Sequence, residues 1–190
     1  MLWLTTRTNV PVNMPISMSI GRVQTPFFKL NRDAPYDIEI EVQKKIPFDV
    51  LNCLLGTAMA PTSTELTECP NQPSVVKIAW VLESEGQIVS TGSTDTYRRG
   101  AWGNYSVARE LGYFQGKKGQ RYVLNLEVLT DGTALLPGNP RLKVGVDPSV
   151  YEGDLVGNAI LLLVMLLFGL TGSIVLLISF FRNRGNRSPS

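Results

Sequence analysis

The chain contains no histidine. That removes the commonest general base, the commonest metal ligand, and every Ser-His-Asp or Cys-His arrangement. It has only two cysteines among its 190 residues, which cannot build a tetrahedral zinc site by themselves. There is no Gly-rich phosphate loop and no acidic run matching a calcium loop. No acidic residue occurs after Asp154, and residues 155–181 carry no charge at all. An enzyme is therefore not the expectation, and no cofactor or metal is expected.

The uncharged run of 27 residues would reach about 40 Å as a helix, against about 30 Å of bilayer hydrocarbon. A buried helix of a water-soluble domain is the alternative, but such helices rarely run this long without a charge. A transmembrane helix over residues 155–181 is expected. All 16 acidic residues and 15 of the 18 basic ones precede it, whereas the tail holds Arg182, Arg184 and Arg187. Short basic flanks stay on the cytoplasmic side, so the preceding domain is expected outside and Ser190 inside. The expected location is a cell membrane, of the bacterial inner-membrane kind, with a periplasmic domain and a cytoplasmic basic tail over 182–190.

Residues 1–14 are read as an N-terminal extension, with MLWL at its start as the end of a signal or first anchor. It is too short to be a complete one. Cys53 and Cys69 form an even pair, and in an extracytoplasmic domain a disulfide is favoured over two buried thiols. Closing a loop of about 17 residues would stabilise the domain by roughly 3 kcal/mol. The composition of residues 60–73, rich in Pro, Thr, Ser, Glu and Asn, suits a loop that Cys69 would pin back to Cys53.

Residues 36–43, YDIEIEVQ, alternate strictly between apolar and polar, which predicts a strand with Tyr36, Ile38, Ile40 and Val42 buried. The alternation of Ile16, Met18 and Ile20 with serines predicts another strand before Gly21, and 25–28 begins a further apolar stretch. Residues 47–55, opening on Pro and followed by Gly56, suit one or two helical turns with Val50, Leu51 and Leu54 inward. Residues 75–83 and 87–91 flank Ser84-Glu85-Gly86 as a hairpin, placing Trp80 in a core. Residues 121–129 and 141–146 supply two more strands. About seven to nine short strands without a long amphipathic helix over 15–146 predict one mainly β domain, a β-sandwich of immunoglobulin-like or jelly-roll type. Residues 147–154 read as a linker.

Glu39 and Glu41 would lie about 7 Å apart on one strand face, a spacing open to paired-carboxylate chemistry, but alternation with apolar residues already explains them as a solvated strand face. Residues 94–105 read as a long loop carrying Tyr97, Arg98, Arg99, Trp102 and Tyr105. These residue types are enriched at binding hot spots and can stack on sugars. The alternative folds Trp102 onto the core. Gly169, Gly172 and Ser173 form a small-residue patch on which another membrane helix could pack. A nucleic-acid partner is not expected, because the domain carries a net charge near −1 and no basic stripe. The sequon at Asn104 has no consequence without a eukaryotic secretory route.

In layout, a stapled sandwich, one span and a tail beginning Phe180-Phe181-Arg182 resembles GOLD-domain cargo receptors. The membrane-proximal coiled coil and lysine-based tail signal of that family are absent, so no residue role is carried over. Two expectations remain for function. The first is a non-enzymatic single-pass accessory subunit that packs against other membrane protein subunits within the lipid bilayer. The second is a membrane-tethered module binding a small molecule or glycan.

Overall fold

The computed structural model describes residues 9–57, 74–94 and 100–150, with 157, 159–166, 168, 169, 171 and 172. The chain divides into two compact units, Met1–Asp147 and Pro148–Ser190. The first is mainly β and holds two antiparallel sheets. Its strands in chain order are β1 (Val12–Pro15), β2 (Gly21–Gln24), β3 (Phe28–Lys29), β4 (Ala34–Gln43), β5 (Ile78–Ser84), β6 (Gln87–Ser93), β7 (Gly100–Trp102), β8 (Ser106–Gly116), β9 (Arg121–Val128) and β10 (Arg141–Val146). One helix, α1 (Phe48–Leu55), follows β4, and a 3-10 segment spans Thr133–Gly138.

The first sheet has the order β1-β10-β4-β8-β7 and the second β2-β9-β5-β6, with β3 also on β9. The pairs β1 with β10, β2 with β9, β4 with β8, and β5 with β6 are nested one inside the next. The innermost is the β5–β6 hairpin, whose turn residues Glu85 and Gly86 both have positive φ, as a tight two-residue turn between right-twisted strands requires.

Period-2 alternation explains each inner face. Tyr36, Ile38, Ile40 and Val42 are all fully buried on β4, as are or nearly are Ile78, Trp80 and Leu82 on β5 and Tyr122, Leu124, Leu126 and Val128 on β9. The two inner faces meet through rings: Phe114 of β8 lies 5.5 Å from Tyr122 of β9 and 5.7 Å from Tyr36 of β4. Trp80 crosses the same gap, and its indole N–H donates to the Leu111 carbonyl on β8 at 3.0 Å. That carbonyl is available because the β4–β8 register shifts between Ile38 and Glu39, leaving Leu111 as an extra residue. Room for the indole comes from two glycines. A Cβ at Gly92 or at Gly112 would fall 2.6 Å from the Trp80 ring.

The predicted strands at 36–43, 121–129 and 141–146, the 75–91 hairpin and the short helix at 47–55 are all present within a few residues. Among the expected strands, one differs. The serine-spaced stretch 16–20 is no strand. β1 ends at Pro15, and Ile16 and Met18 are buried along the crossing to the second sheet, while Ile20 is 69% exposed. Alternation there reports a chain passing the end of the core, where Gly132 donates to the Met18 carbonyl. Of the residues expected inward on α1, Leu51 and Leu54 are buried and Val50 is only partly so.

α1 is closed at its end by Gly56 in the left-handed conformation, with its N–H shared between the Asn52 and Cys53 carbonyls. Beyond it, the buried guanidinium of Arg109 donates to the carbonyls of Leu55, Gly56 and Thr94. A cation at a helix C-terminus also complements the helix dipole. Cys53 is buried on α1; Cys69 lies outside the described residues.

In the second unit, residues 159–166 are helical and exposed throughout, with Ile160, Leu161, Leu162, Leu163 and Met165 each about 60% accessible. Among the described residues, no helix is long and apolar enough to cross a membrane. Gly169 and Gly172 are helical, and a Cβ at either would meet nothing within 4 Å. Ser173, the rest of the expected span, and Arg182, Arg184 and Arg187 lie outside the described residues.

Candidate functional site

Three strand ends of the first sheet meet beside the 3-10 segment. β4 runs out at Gln43, β10 starts at Arg141, β8 starts at Ser106 and the 3-10 segment turns at Asn139. Between them lies an open cleft of about 570 Å³, lined by Glu41, Gln43, Lys44, Lys45, Asn104, Tyr105, Ser106, Asn139 and Arg141. It sits at the opposite end of β10 from Asp147, where the unit ends, and Asn9 is held at that far end by the Val146 N–H.

The segment read as a long loop is in part a hairpin. β7 pairs with β8, with Trp102 opposite Val107, and the turn is closed by the Gly103 N–H donating to the Ser106 carbonyl. Trp102 is 41% exposed, so its ring is neither core nor free. Its indole N–H donates to the side-chain oxygen of buried Asn52 on α1, which also accepts from the Thr57 hydroxyl. Tyr105 is 85% exposed at the hairpin tip, on the wall of the cleft. Its backbone carbonyl accepts from the Lys44 N–H, fixing the tip against the end of β4. Tyr97, Arg98 and Arg99 lie outside the described residues.

Glu41, on the cleft wall, belongs to an ion-pair network on the strand face. Lys143 of β10 bridges Glu39 at 3.1 Å and Glu41 at 3.2 Å, its neighbours across the strand pair. The other oxygen of Glu41 accepts from the Ser106 hydroxyl at 2.6 Å. Burial alone would raise the Glu41 carboxyl, but the Ser106 hydrogen bond, then Lys143, then Arg141 outweigh it and hold the pKa below its ordinary value. Burial likewise pulls Lys143 down, and Glu39 and Glu41 together push it above the ordinary lysine value. A glycosidase acid needs its carboxyl raised, which is the reverse of Glu41. The two carboxylates are joined by one ammonium, as a half-buried ion-pair network on a strand face.

The pH consequence has a definite sign. The depressed Glu41 carboxyl stabilises the fold above the ordinary glutamate pKa of about 4.3 and loses that contribution as pH falls through its lowered folded value. Raised Lys143 contributes below the ordinary lysine pKa of about 10.4 and loses its part as pH rises through its folded value. Lys143→Met should therefore raise the Glu41 carboxyl from its lowered value in a carbon-detected NMR titration, with Ser106 and Arg141 still holding it down. An unchanged midpoint would mean that the lysine does not act on Glu41.

Sequence reasoning missed the cleft cations. Arg141 stands nearly a hundred residues from the adjacent Lys44 and Lys45, and the pairing of β4 with β10 brings them together. Arg141 is held at the rim by Asn13, whose side-chain oxygen accepts at 2.6 Å and whose carbonyl accepts at 2.9 Å. The Lys44 ammonium lies over the Phe48 ring at 5.1 Å from its centre.

Neither a family model nor a curated protein matches the chain. Among solved structures, it is similar to a crystal structure of a protein from Sulfurospirillum deleyianum, with a TM-score of 0.51 at 10% identity. The match covers 72% of this chain and 97% of that one. At that identity the likeness concerns the fold alone.

Proposed function

We propose that the chain is a non-enzymatic, single-pass membrane accessory subunit, whose extracytoplasmic β-sandwich and helix pack against a larger membrane protein complex and stabilise it. The observation that carries the membrane part is the run 159–166, where every side chain is exposed and almost all are aliphatic. Such a surface is unfavourable in water and suited to lipid or to neighbouring helices. The uncharged stretch 155–181 extends that run to spanning length, and Arg182, Arg184 and Arg187 set the C-terminus cytoplasmic. The nested strand pairs favour the jelly-roll form of sandwich over the immunoglobulin form, in which the sheets are ordered ABED and CFG. A Cys53–Cys69 disulfide, consistent with the lack of a free cysteine among the described residues, fits a periplasmic domain. Gly169, Gly172 and Ser173 are the helix-packing patch in this reading.

The tether has its own test. Protease added to spheroplasts should degrade the β domain and leave an epitope placed after Ser190 intact, and alkaline carbonate should not release the protein. Loss of the epitope, or release by carbonate, would overturn the tether.

A second reading, a membrane-tethered ligand- or glycan-binding module, is favoured by one observation: Tyr105 stands 85% exposed on the wall of a polar cleft. An aromatic ring beside amides and charged groups is suited to stacking and hydrogen bonding with a sugar.

A further inference from the structure

We propose that the cleft at the end of β4 and β10 is a binding site for an acidic saccharide, the sugar ring stacking on Tyr105 and its carboxylate meeting Lys44, Lys45 and Arg141. The inference rests on the second reading above and adds the ligand's charge. Three cations, Lys44, Lys45 and Arg141, line the cleft against one carboxylate, Glu41. Glu41 is already bound to Lys143 and to Ser106, so its charge is in part offset. The excess positive charge sits at the rim. Arg141 is oriented there by its two bonds to Asn13, and a fixed guanidinium recognises a carboxylate in its own plane.

Size and shape agree with this chemistry. About 570 Å³ of open space accommodates one or two sugar rings at the volume typical of ligand sites. Asn104, Asn139 and Gln43 surround it with amides that donate and accept, which suits hydroxyl groups. The exposed Tyr105 supplies a flat apolar face beside these polar groups. A neutral ligand would meet the rim cations only through ordinary hydrogen bonds, whereas a carboxylate would meet them through charge-assisted ones.

The test uses the full chain in a mild detergent or a lipid nanodisc, with trigalacturonic acid as the acidic probe and its methyl ester as the neutral one. Calorimetry should detect the acid binding at least about tenfold more tightly than the ester. Raising salt should weaken the acid and not the ester. Lys45→Ala and Arg141→Gln should each weaken the acid about tenfold and leave the ester unchanged, while Tyr105→Ala should weaken both. Tyr113→Ala, remote from the cleft, should change neither. Equal binding of acid and ester would overturn the acidic assignment while keeping the glycan reading, and no binding of either would overturn both. Circular dichroism of each variant separates lost binding from lost fold.

Discussion

Trp80→Ala is expected to destabilise the β domain by about 3–5 kcal/mol, the cost of removing a buried large aromatic side chain from a packed core. The site cannot close over the void. Trp80 fills a space bounded by Gly92 on its own sheet and Gly112 on the other, and neither glycine has a side chain to move inward. The substitution also strips the Leu111 carbonyl of its N–H donor at 3.0 Å. Trp80→Phe separates the two effects, since it keeps much of the volume but leaves that carbonyl unpaired, which costs about 1–3 kcal/mol. Gly112→Ala should rival the larger loss, because its Cβ would sit 2.6 Å from a ring that has nowhere to go. Thermal unfolding followed by near-ultraviolet circular dichroism checks the series. A Trp80→Ala midpoint within a few degrees of the parent would contradict a core in which this indole bridges the sheets.

Arg109→Leu is the second large effect, expected at about 3 kcal/mol. The guanidinium is 3% exposed and donates to three backbone carbonyls from two segments, the end of α1 and the residue after β6. Leucine removes all of those donors at once and leaves buried acceptors without water. Lysine should rescue little, because one ammonium cannot reach carbonyls that a planar fork spans. Hydrogen exchange gives the more specific readout. Amides of α1 should lose protection in the variant while those of the β4–β10 pair keep theirs. Uniform loss across the domain would mean that Arg109 supports the whole core rather than the helix end.

These two residues also mark where sequence reading succeeds and where it stops. Trp80 was predictable, because β5 alternates and its neighbours Ile78 and Leu82 fix the parity of the inner face. β4, β9 and β10 were readable for the same reason, each keeping one parity from end to end. β8 was not, although at 11 residues it is the longest strand. Its inner positions are Val107 and Arg109 before the bulge at Leu111, and Gly112 and Phe114 after it, so the apolar period breaks in the middle. An arginine and a glycine on the buried face hide the rest of the pattern. The bulge itself is needed for Trp80, so the irregularity that hides the strand serves the packing.

The candidate site divides in the same way. Tyr105 and Trp102 stood out by residue type, but their different fates follow from contacts that sequence does not contain. Trp102 is tied to Asn52, 50 positions away, and Tyr105 is left on the cleft wall. Glu39 and Glu41 were placed correctly on one face, and the groups that set their behaviour, Lys143 and Ser106, come from β10 and β8. Strand pairing over about a hundred residues of chain assembles both the ion pairs and the cleft cations.

The most direct test of the proposed accessory role is to extract the protein from its native membrane in mild detergent and identify what stays with it through size-exclusion chromatography. The account predicts a stable assembly with other membrane subunits, one that Gly169→Leu together with Ser173→Leu breaks up while the protein remains in the membrane. A protein that elutes as a monomer with no partner, before any substitution, would contradict it.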